Sequence, residues 1–92
     1  MKTLNKHLKE KLSDSEFKEL FTEEKQFLEL SLKIQSERER KGLSQEEAAE
    51  RAHITQQQVS KIENGINCNI ITLIKLCNAL ELDLQFQRKA IV

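Results

Sequence analysis

The sequence contains no proline, tryptophan or tyrosine, and it has only two glycines and two cysteines among 92 residues. So few glycines leave no glycine-rich loop that could cradle a phosphate group. Zinc needs about four closed ligands, but Cys68 and Cys77 form no CxxC pair and have no histidine at ligand spacing. The only histidines are His7 and His53. We therefore expect two reduced thiols, no metal and no cofactor.

The sequence also lacks the signals of membrane insertion and of catalysis. No apolar run is long enough to cross a bilayer, and residues 1–12 alternate lysines with single leucines instead of forming a signal-peptide core. The pairs Glu23–Glu24 and Glu46–Glu47 could be considered as acid and base, but neighbours on a helix do not face one pocket. They are better explained as first-turn acids that complement a helix dipole. These absences predict a cytoplasmic protein that is not an enzyme.

The charges balance, with 15 basic and 15 acidic residues and a formal net charge of zero. A charged fraction of 33% favours helices with solvated faces over a β-sandwich. Nucleic-acid-binding proteins usually carry a basic surplus, because lysine and arginine displace counterions from the phosphates. If this chain binds DNA, we expect modest affinity for the lone protein, with help from dimerisation or from a basic partner.

The spacing of the apolar residues divides the chain into three regions. Residues 1–22 predict a helical arm, broken at Ser13-Asp14-Ser15, where Ser13 or Asp14 can cap the second helix. Residues 23–81 predict a helical domain that opens with a long helix from Thr22-Glu23-Glu24 to about Lys41. Residues 82–92 predict a strand and tail. The chain is therefore expected to be all-α apart from one short strand.

The strand prediction rests on the alternation of Leu82, Leu84 and Phe86 with polar residues, which is the spacing of a half-buried strand. A lone strand has unpaired backbone donors and acceptors, so it needs a partner from elsewhere. The simplest partner is the same strand of a second copy in a two-fold dimer. These three residues are therefore the predicted dimer interface.

Helix-ending signals are dense between Gly42 and Asn69. Ser44 and Glu47 form a capping box before Ala48 and Ala49. Thr55 caps the next helix, and Gly65 closes it. Asn69 can cap a fourth helix. The residues of that helix predicted to face inward are Ile70, Leu73, Ile74, Leu76, Cys77 and Leu80.

The helix that begins after Thr55 opens with Gln56-Gln57-Gln58. Glutamine can pair with adenine through two hydrogen bonds, and lysine can pair with guanine, when a helix enters the major groove with its N-terminal turns. Ser60 and Lys61 lie one turn further on, and Val59 and Ile62 point toward the core. The alternative is that the glutamines only fill a solvated helix start.

Residues 33–86 resemble the Xre/Cro family of phage-repressor-like helix-turn-helix domains. The resemblance rests on two stretches, Arg38 to Ala49 and Thr55 to Gly65, where spacing, caps, core positions and the terminal Glu63-Asn64-Gly65 all coincide with the family pattern. It implies a phage-repressor-like helical bundle that binds double-stranded operator DNA. Two departures are His53, where the family usually has glycine in the turn, and Ala48, where it has a larger aliphatic residue. A positive φ at His53 would be tolerated at some cost.

The resemblance also implies roles for single residues. The expected base contacts are Gln56, Gln57, Ser60 and Lys61. The expected phosphate contacts are Gln45, Thr55, Gln58 and Asn64. Arg38 is expected to pair with Glu63, which ties the long helix to the end of the recognition helix.

The N-terminal region is longer than a minimal repressor needs. Its layout, with Lys2-Thr3-Leu4, the break at Ser13 to Phe17 and Glu23-Glu24, resembles HigA-type antitoxins. That resemblance implies a RelE/HigB-like, mRNA-cleaving toxin as partner and repression of the chain's own operon. The expected toxin contacts are Leu4, Leu8, Phe17 and Phe21. The alternatives are that these residues pad the Leu28 and Leu32 seam, and that the chain is a stand-alone regulator.

Overall fold

The computed structural model describes residues 13–89, so the predicted toxin contacts Leu4 and Leu8 lie outside the described residues. Residues 13–89 form helices and no strand, which confirms the all-α class. The helices are α1 (Asp14–Arg40), α2 (Gln45–Ala52), α3 (Gln56–Glu63) and α4 (Ile70–Ala79). The chain divides between Leu30 and Ser31 into two compact units, and the second holds α2, α3 and α4.

Helix α1 is one continuous helix of 27 residues, so the helix start predicted at Thr22-Glu23-Glu24 is wrong. The helix begins after Ser13, whose Oγ accepts a hydrogen bond from the Glu16 N–H at 3.3 Å, as expected for a cap. At Thr22 the hydroxyl instead donates to the Lys18 carbonyl oxygen one turn back, at 2.8 Å. A threonine bonded in this way sits within a helix and does not cap a new one.

Each of the four helices closes with a residue in the left-handed conformation: Gly42, His53, Gly65 and Glu81, with φ between 58° and 71°. After each helix the next N–H groups bond back to the last-turn carbonyls, as in Leu43 N–H to Arg38 O at 3.1 Å and Ile66 N–H to Lys61 O at 2.8 Å. This is the Schellman pattern, which satisfies carbonyls that a helix end leaves unpaired. The positive φ predicted at His53 is confirmed.

The core of the second unit combines large side chains from three helices with small ones from α2. The fully buried aliphatic residues are Ile34, Val59, Ile62, Leu76 and Leu80, each with 0% exposure. Burying one such side chain contributes about 1.5–3 kcal/mol. Helix α2 contributes only alanines, namely Ala48, Ala49 and Ala52, and it packs against both α3 and α4. These short side chains let the backbone of α2 approach its two neighbours.

Helix α4 buries a narrower face than its sequence predicts. Leu76, Cys77 and Leu80 are buried and Leu73 is half-buried, as expected. Ile70 and Ile74, which were predicted to face inward, are exposed. The helix has apolar residues on most of its surface, and its polar Thr72 is buried, so the sequence pattern does not separate the covered face from the open one. The prediction for these two isoleucines is therefore wrong.

No strand forms at residues 82–86, so the predicted strand is corrected to an irregular segment in this single chain. Leu82 is half-buried because its N–H closes α4 by donating to the Cys77 carbonyl at 2.8 Å. Leu84 is exposed, and Phe86 is 102% exposed. A strand exists only through hydrogen bonds to a neighbouring strand, and residues 13–89 offer no such neighbour.

Candidate nucleic-acid interface

A tight turn of His53, Ile54 and Thr55 joins α2 to α3. His53 takes φ 58° and ψ 41°, and its N–H and that of Ile54 donate to the carbonyls of Glu50 and Ala49. Thr55 returns to the extended region with φ −85° and ψ 156°. The chain therefore reverses direction between two helices of eight residues each, which is the layout of a helix-turn-helix.

Both helices of this pair begin with a capping box. The Glu47 N–H donates to Ser44 Oγ and the Ser44 N–H donates to Glu47 Oε1, each at 3.0 Å. The hydrogen bond from the Ser44 backbone N–H, with a further contribution from the Ser44 side chain, lowers the pKa of the Glu47 carboxyl. At the start of α3 the same exchange joins Thr55 and Gln58, at 3.1 and 2.8 Å. Two residues predicted to bind phosphate are thus also the cap of α3.

The cap uses only one end of the Gln58 side chain. Its carbonyl oxygen Oε1 accepts the Thr55 N–H, which leaves the NH₂ group as a donor. A phosphate oxygen can only accept hydrogen bonds, so the free NH₂ is the group that would meet it. The cap therefore orients Gln58 without removing its capacity to contact DNA.

Helix α3 has one face committed to the core and one face left to solvent. Val59, Ile62 and Glu63 are buried, whereas Gln56, Gln57 and Lys61 are exposed. The three exposed side chains make no hydrogen bond or ion pair with any residue in 13–89. They are three of the four residues predicted to contact bases, and the structure places Gln56 and Gln57 in the first turn of α3 and Lys61 in its last turn.

The other two predicted contacts on α3 and its end are bonded to each other. The Asn64 side-chain amide nitrogen donates to the Ser60 carbonyl oxygen at 2.8 Å and lies 3.2 Å from Ser60 Oγ. Asn64 is exposed, but its Nδ2 folds back over the last turn of α3. Its carbonyl Oδ1 cannot donate to a phosphate, so a contact there would require Nδ2 to be shared or turned outward.

Arg38, at the end of α1, forms a two-point ion pair with Glu63, at the end of α3. Arg38 Nε lies 2.7 Å from Glu63 Oε2, and Nη2 lies 3.0 Å from Oε1. The hydrogen bond to Glu63 raises the pKa of Arg38. The remaining nitrogen, Nη1, donates to the Leu43 carbonyl oxygen at 2.6 Å. The pair therefore fixes the ends of two helices and the turn that leads into α2.

A model of the helix-turn-helix family matches residues 34–87, which is more than half of the chain. The chain belongs to the Xre/Cro-type helix-turn-helix family. This membership assigns it to the DNA-binding transcription regulators. A search of curated proteins gave no match. Within residues 13–89, no helix is long and apolar enough to span a membrane.

One hydrogen bond of this helix-turn-helix domain has no signal in the sequence pattern. Gln45 Nε2 donates to Glu63 Oε1 at 3.2 Å, across 18 positions of the chain. Caps and turns are local and can be read from neighbouring residues, but this contact depends on how α2 packs against α3. Sequence reasoning assigned Gln45 to phosphate and Glu63 to Arg38 without connecting them.

The helix-turn-helix segment itself carries little positive charge. From Ser44 to Gly65 there are four glutamates but only two cations, Arg51 and Lys61. Arg38 neutralises one of the glutamates, Glu63. Contacts to phosphate from this segment would therefore come mainly from neutral amides and backbone N–H groups, which displace few counterions.

Several apolar side chains are exposed outside the core. In the first unit, Phe17 and Phe21 stack with ring centroids 6.4 Å apart, and Phe21 and Leu28 are each about half exposed. In the second unit, the exposed apolar residues of α4 and the segment after it are Ile70, Ile71, Ile74, Leu84 and Phe86. Both sets leave apolar surface open to solvent.

Proposed function

We propose that this chain is a transcription repressor that binds operator DNA as a homodimer and reads bases through α3. The observation that carries the proposal is the division of α3. Its buried face, Val59 and Ile62, fixes the helix, while Gln56, Gln57 and Lys61 are exposed and unpaired within residues 13–89. The two glutamines offer paired donors and acceptors at the start of a rigid helix, and Lys61 offers a donor in its last turn, so both suit direct reading of the major groove.

The surrounding groups suit contacts to the DNA backbone. Gln45 and Gln58 each hold one end of the side-chain amide on a protein partner and keep an N–H to donate. Such contacts fix the register of the protein on the duplex but carry no sequence information. In this proposal Gln56, Gln57 and Lys61 determine which sequence is bound, and Gln45 and Gln58 determine how firmly the duplex is held.

The exposed apolar residues of α4 and the following segment support the homodimer. Leu76 and Leu80 are already buried in their own core, so they cannot be the surface on which a second copy packs. Ile70, Ile71 and Ile74 are exposed and can therefore contact a second copy. Pairing of two copies of residues 82–86 would supply the missing strand partner and cover Leu84 and Phe86. It would also double the contacts of a weakly charged domain with DNA.

The test is selection of a preferred site from random duplex DNA, followed by footprinting. We expect an inverted repeat whose half-sites lie about 34–36 Å apart, one helical turn, because a two-fold dimer presents two recognition helices. Binding without sequence preference, or binding to a single half-site, would contradict the proposal.

The dimer is tested separately by replacing Leu84 and Phe86 with serine. Sedimentation should then report a monomer, and cooperative DNA binding should be lost. Replacing Gln85 and Gln87 with serine is the matched control, because these residues alternate with the apolar pair and should leave the dimer intact. A dimer that persists in the Leu84 and Phe86 variant would place the contact elsewhere, for example along the N-terminal arm.

A second candidate function is that of an antitoxin that also neutralises a RelE/HigB-like toxin. The observation that favours it is the stacked pair of Phe17, which is half-buried, and Phe21, which is exposed. The pair lies before the matched residues 34–87 and outside the DNA-binding unit. Exposed aromatic residues on a helix are suited to filling a groove on a partner protein.

The antitoxin hypothesis is tested by co-expression with the product of the adjacent reading frame. If that product is a toxin, the chain should co-purify with it and stop its cleavage of mRNA. Replacing Phe17 and Phe21 with serine should abolish both effects and leave DNA binding intact. The control replaces Glu19 and Glu23, which lie two residues after Phe17 and Phe21 on α1, with serine. Loss of DNA binding together with toxin binding would instead indicate that the phenylalanines stabilise the fold.

A further inference from the structure

The Glu63 carboxylate is an acceptor shared by two different side chains. Its side chain is only 3% exposed. Oε2 accepts from Arg38 Nε at 2.7 Å, and Oε1 accepts from both Arg38 Nη2 at 3.0 Å and Gln45 Nε2 at 3.2 Å. We propose that Glu63 is a positioning residue that holds the Gln45 amide ready to bind a DNA phosphate, an inference that rests on the proposed DNA-binding role of Gln45.

The chemistry of the two groups sets the direction of the Gln45 amide. A carboxylate can only accept hydrogen bonds. A glutamine amide has a donating NH₂ and an accepting oxygen on the same carbon, so rotation of the amide can turn either one toward a partner. Glu63 therefore selects the orientation in which Nε2 lies toward it. One N–H of Nε2 is used by Glu63, and the second is left for another acceptor. A phosphate oxygen, which also only accepts, is matched by that second N–H.

Arg38 makes this arrangement electrostatically possible. A buried carboxylate near a phosphate would repel it unless its charge were balanced, and the two-point pair with Arg38 provides that balance. Arg38 also donates to the Leu43 carbonyl at 2.6 Å, two residues before Gln45. The same guanidinium thus steadies the acceptor of the Gln45 amide and the turn from which Gln45 projects.

Positioning matters because a glutamine side chain is flexible. Ordering such a side chain costs a free energy comparable to the net contribution of one hydrogen bond. If Glu63 already orders the Gln45 side chain in the free protein, the affinity for DNA is not reduced by the entropy of ordering it on binding. Gln56 and Gln57, which have no partner in residues 13–89, offer a comparison within the same domain.

The experiment removes the acceptor without leaving an unpaired buried charge. Arg38→Met combined with Glu63→Leu replaces the pair by apolar residues of similar size, an exchange that is often neutral for stability. Operator affinity is then measured for four proteins: the wild type, Gln45→Ala, the apolar pair, and the apolar pair with Gln45→Ala. Circular dichroism melts verify that all four are folded.

We expect Gln45→Ala to weaken binding of the wild type about threefold to tenfold, the range of one hydrogen bond. The apolar pair should weaken binding by a similar factor, and adding Gln45→Ala to it should change little further. A purely structural role of Glu63 would instead give independent, multiplicative losses, and that result would overturn the proposal. So would an unchanged affinity of Gln45→Ala in the wild-type background.

A second measurement uses the wild-type protein alone, and it decides the positioning even if the apolar variant does not fold or no operator is found. Relaxation of the side-chain ¹⁵N–H₂ groups reports how ordered each glutamine is on the ps–ns timescale. Gln45 should show restricted motion like that of rigid backbone, with an order parameter of about 0.85, whereas Gln56 and Gln57 should fall below about 0.6. Equal mobility of all three would refute positioning by Glu63. Failure of the wild type to bind any DNA would instead refute the proposed function.

Discussion

Replacing Glu63 with glutamine should destabilise the protein more than any other single change to a charged group among residues 31–89. The substitution keeps the size of the side chain but removes the charge opposite Arg38, whose side chain is only 12% exposed. Removing one partner of a buried ion pair costs about 3–5 kcal/mol, because the other charge is left uncompensated. Arg38 keeps its hydrogen bond to the Leu43 carbonyl and some contact with water, so we expect the lower end of that range, about 3 kcal/mol.

A loss of that size is readily measured by thermal unfolding. For a domain of this length, each kcal/mol shifts the Tm by about 4–8 °C, so Glu63→Gln should lower it by roughly 12–24 °C. Far-UV circular dichroism at neutral pH, in the absence of DNA, is a sufficient assay. The loss is a large part of a total free energy of unfolding of about 5–15 kcal/mol.

The chain contains a matched control for this experiment. Glu39 Oε1 lies 3.9 Å from Nη2 of the same Arg38, but its side chain is 60% exposed. An exposed pair contributes at most about 1 kcal/mol, so Glu39→Gln should move the Tm by only a few degrees. If Glu63→Gln and Glu39→Gln melted together within a few degrees of the wild type, the reasoning from burial would be refuted.

Three further predictions concern the interface and the helix ends. Gln57→Ala should cost roughly 1–3 kcal/mol on the preferred site and relax one base position, whereas Gln45→Ala should weaken all sequences alike; footprinting on site variants distinguishes the two patterns. Gly42→Ala should lower the free energy of unfolding by about 1–2 kcal/mol, measured by chemical denaturation. The loss comes solely from the φ of +70°, because an added Cβ would meet no atom within 4 Å. His53→Gly, at another positive φ, should raise the free energy of unfolding by up to about 1 kcal/mol. The lowered pKa of Glu47 means that its carboxylate stabilises the fold above the ordinary pKa of 4.5 and that this stabilisation is lost as the pH falls. Glu47→Gln keeps the capping box, since glutamine serves the same position in the capping box of α3. Calorimetry from pH 7 to 3 should therefore show a smaller drop in Tm for Glu47→Gln than for the wild type.

The features that sequence reasoning predicted correctly are those decided by neighbouring residues. The boxes at Ser44 and Thr55, the cap at Asn69 and the closure at Gly65 each depend on side chains within about three positions of the helix end. The left-handed conformation of His53 was expected from the family resemblance, because most members have glycine at that position of the turn. Neighbouring residues were sufficient for these predictions, because the N–H and C=O groups at a helix end form hydrogen bonds with groups close in sequence.

The failures arise where the outcome depends on the rest of the fold. Thr22 followed by two glutamates has the composition of a helix start, but its hydroxyl bonds back to Lys18 and α1 continues. Ile70 and Ile74 are as apolar as the buried residues of α4, and only packing decides which face is covered. The alternation at residues 82–86 describes a strand that needs a partner. The bond between Gln45 and Glu63 joins distant positions and leaves no local pattern at all.

Different residues of α3 hold the fold and face the DNA, and this separation affects how operator preference can evolve. The core uses Val59 and Ile62, and the cap uses Thr55 and Gln58, so none of these positions can vary freely. The side chains of Gln56, Gln57 and Lys61 are exposed and make no hydrogen bond or ion pair with residues 13–89. Substitutions at those three positions can change the recognised sequence at little cost in stability, and a gene duplicate could acquire a new operator one residue at a time while every intermediate still folds.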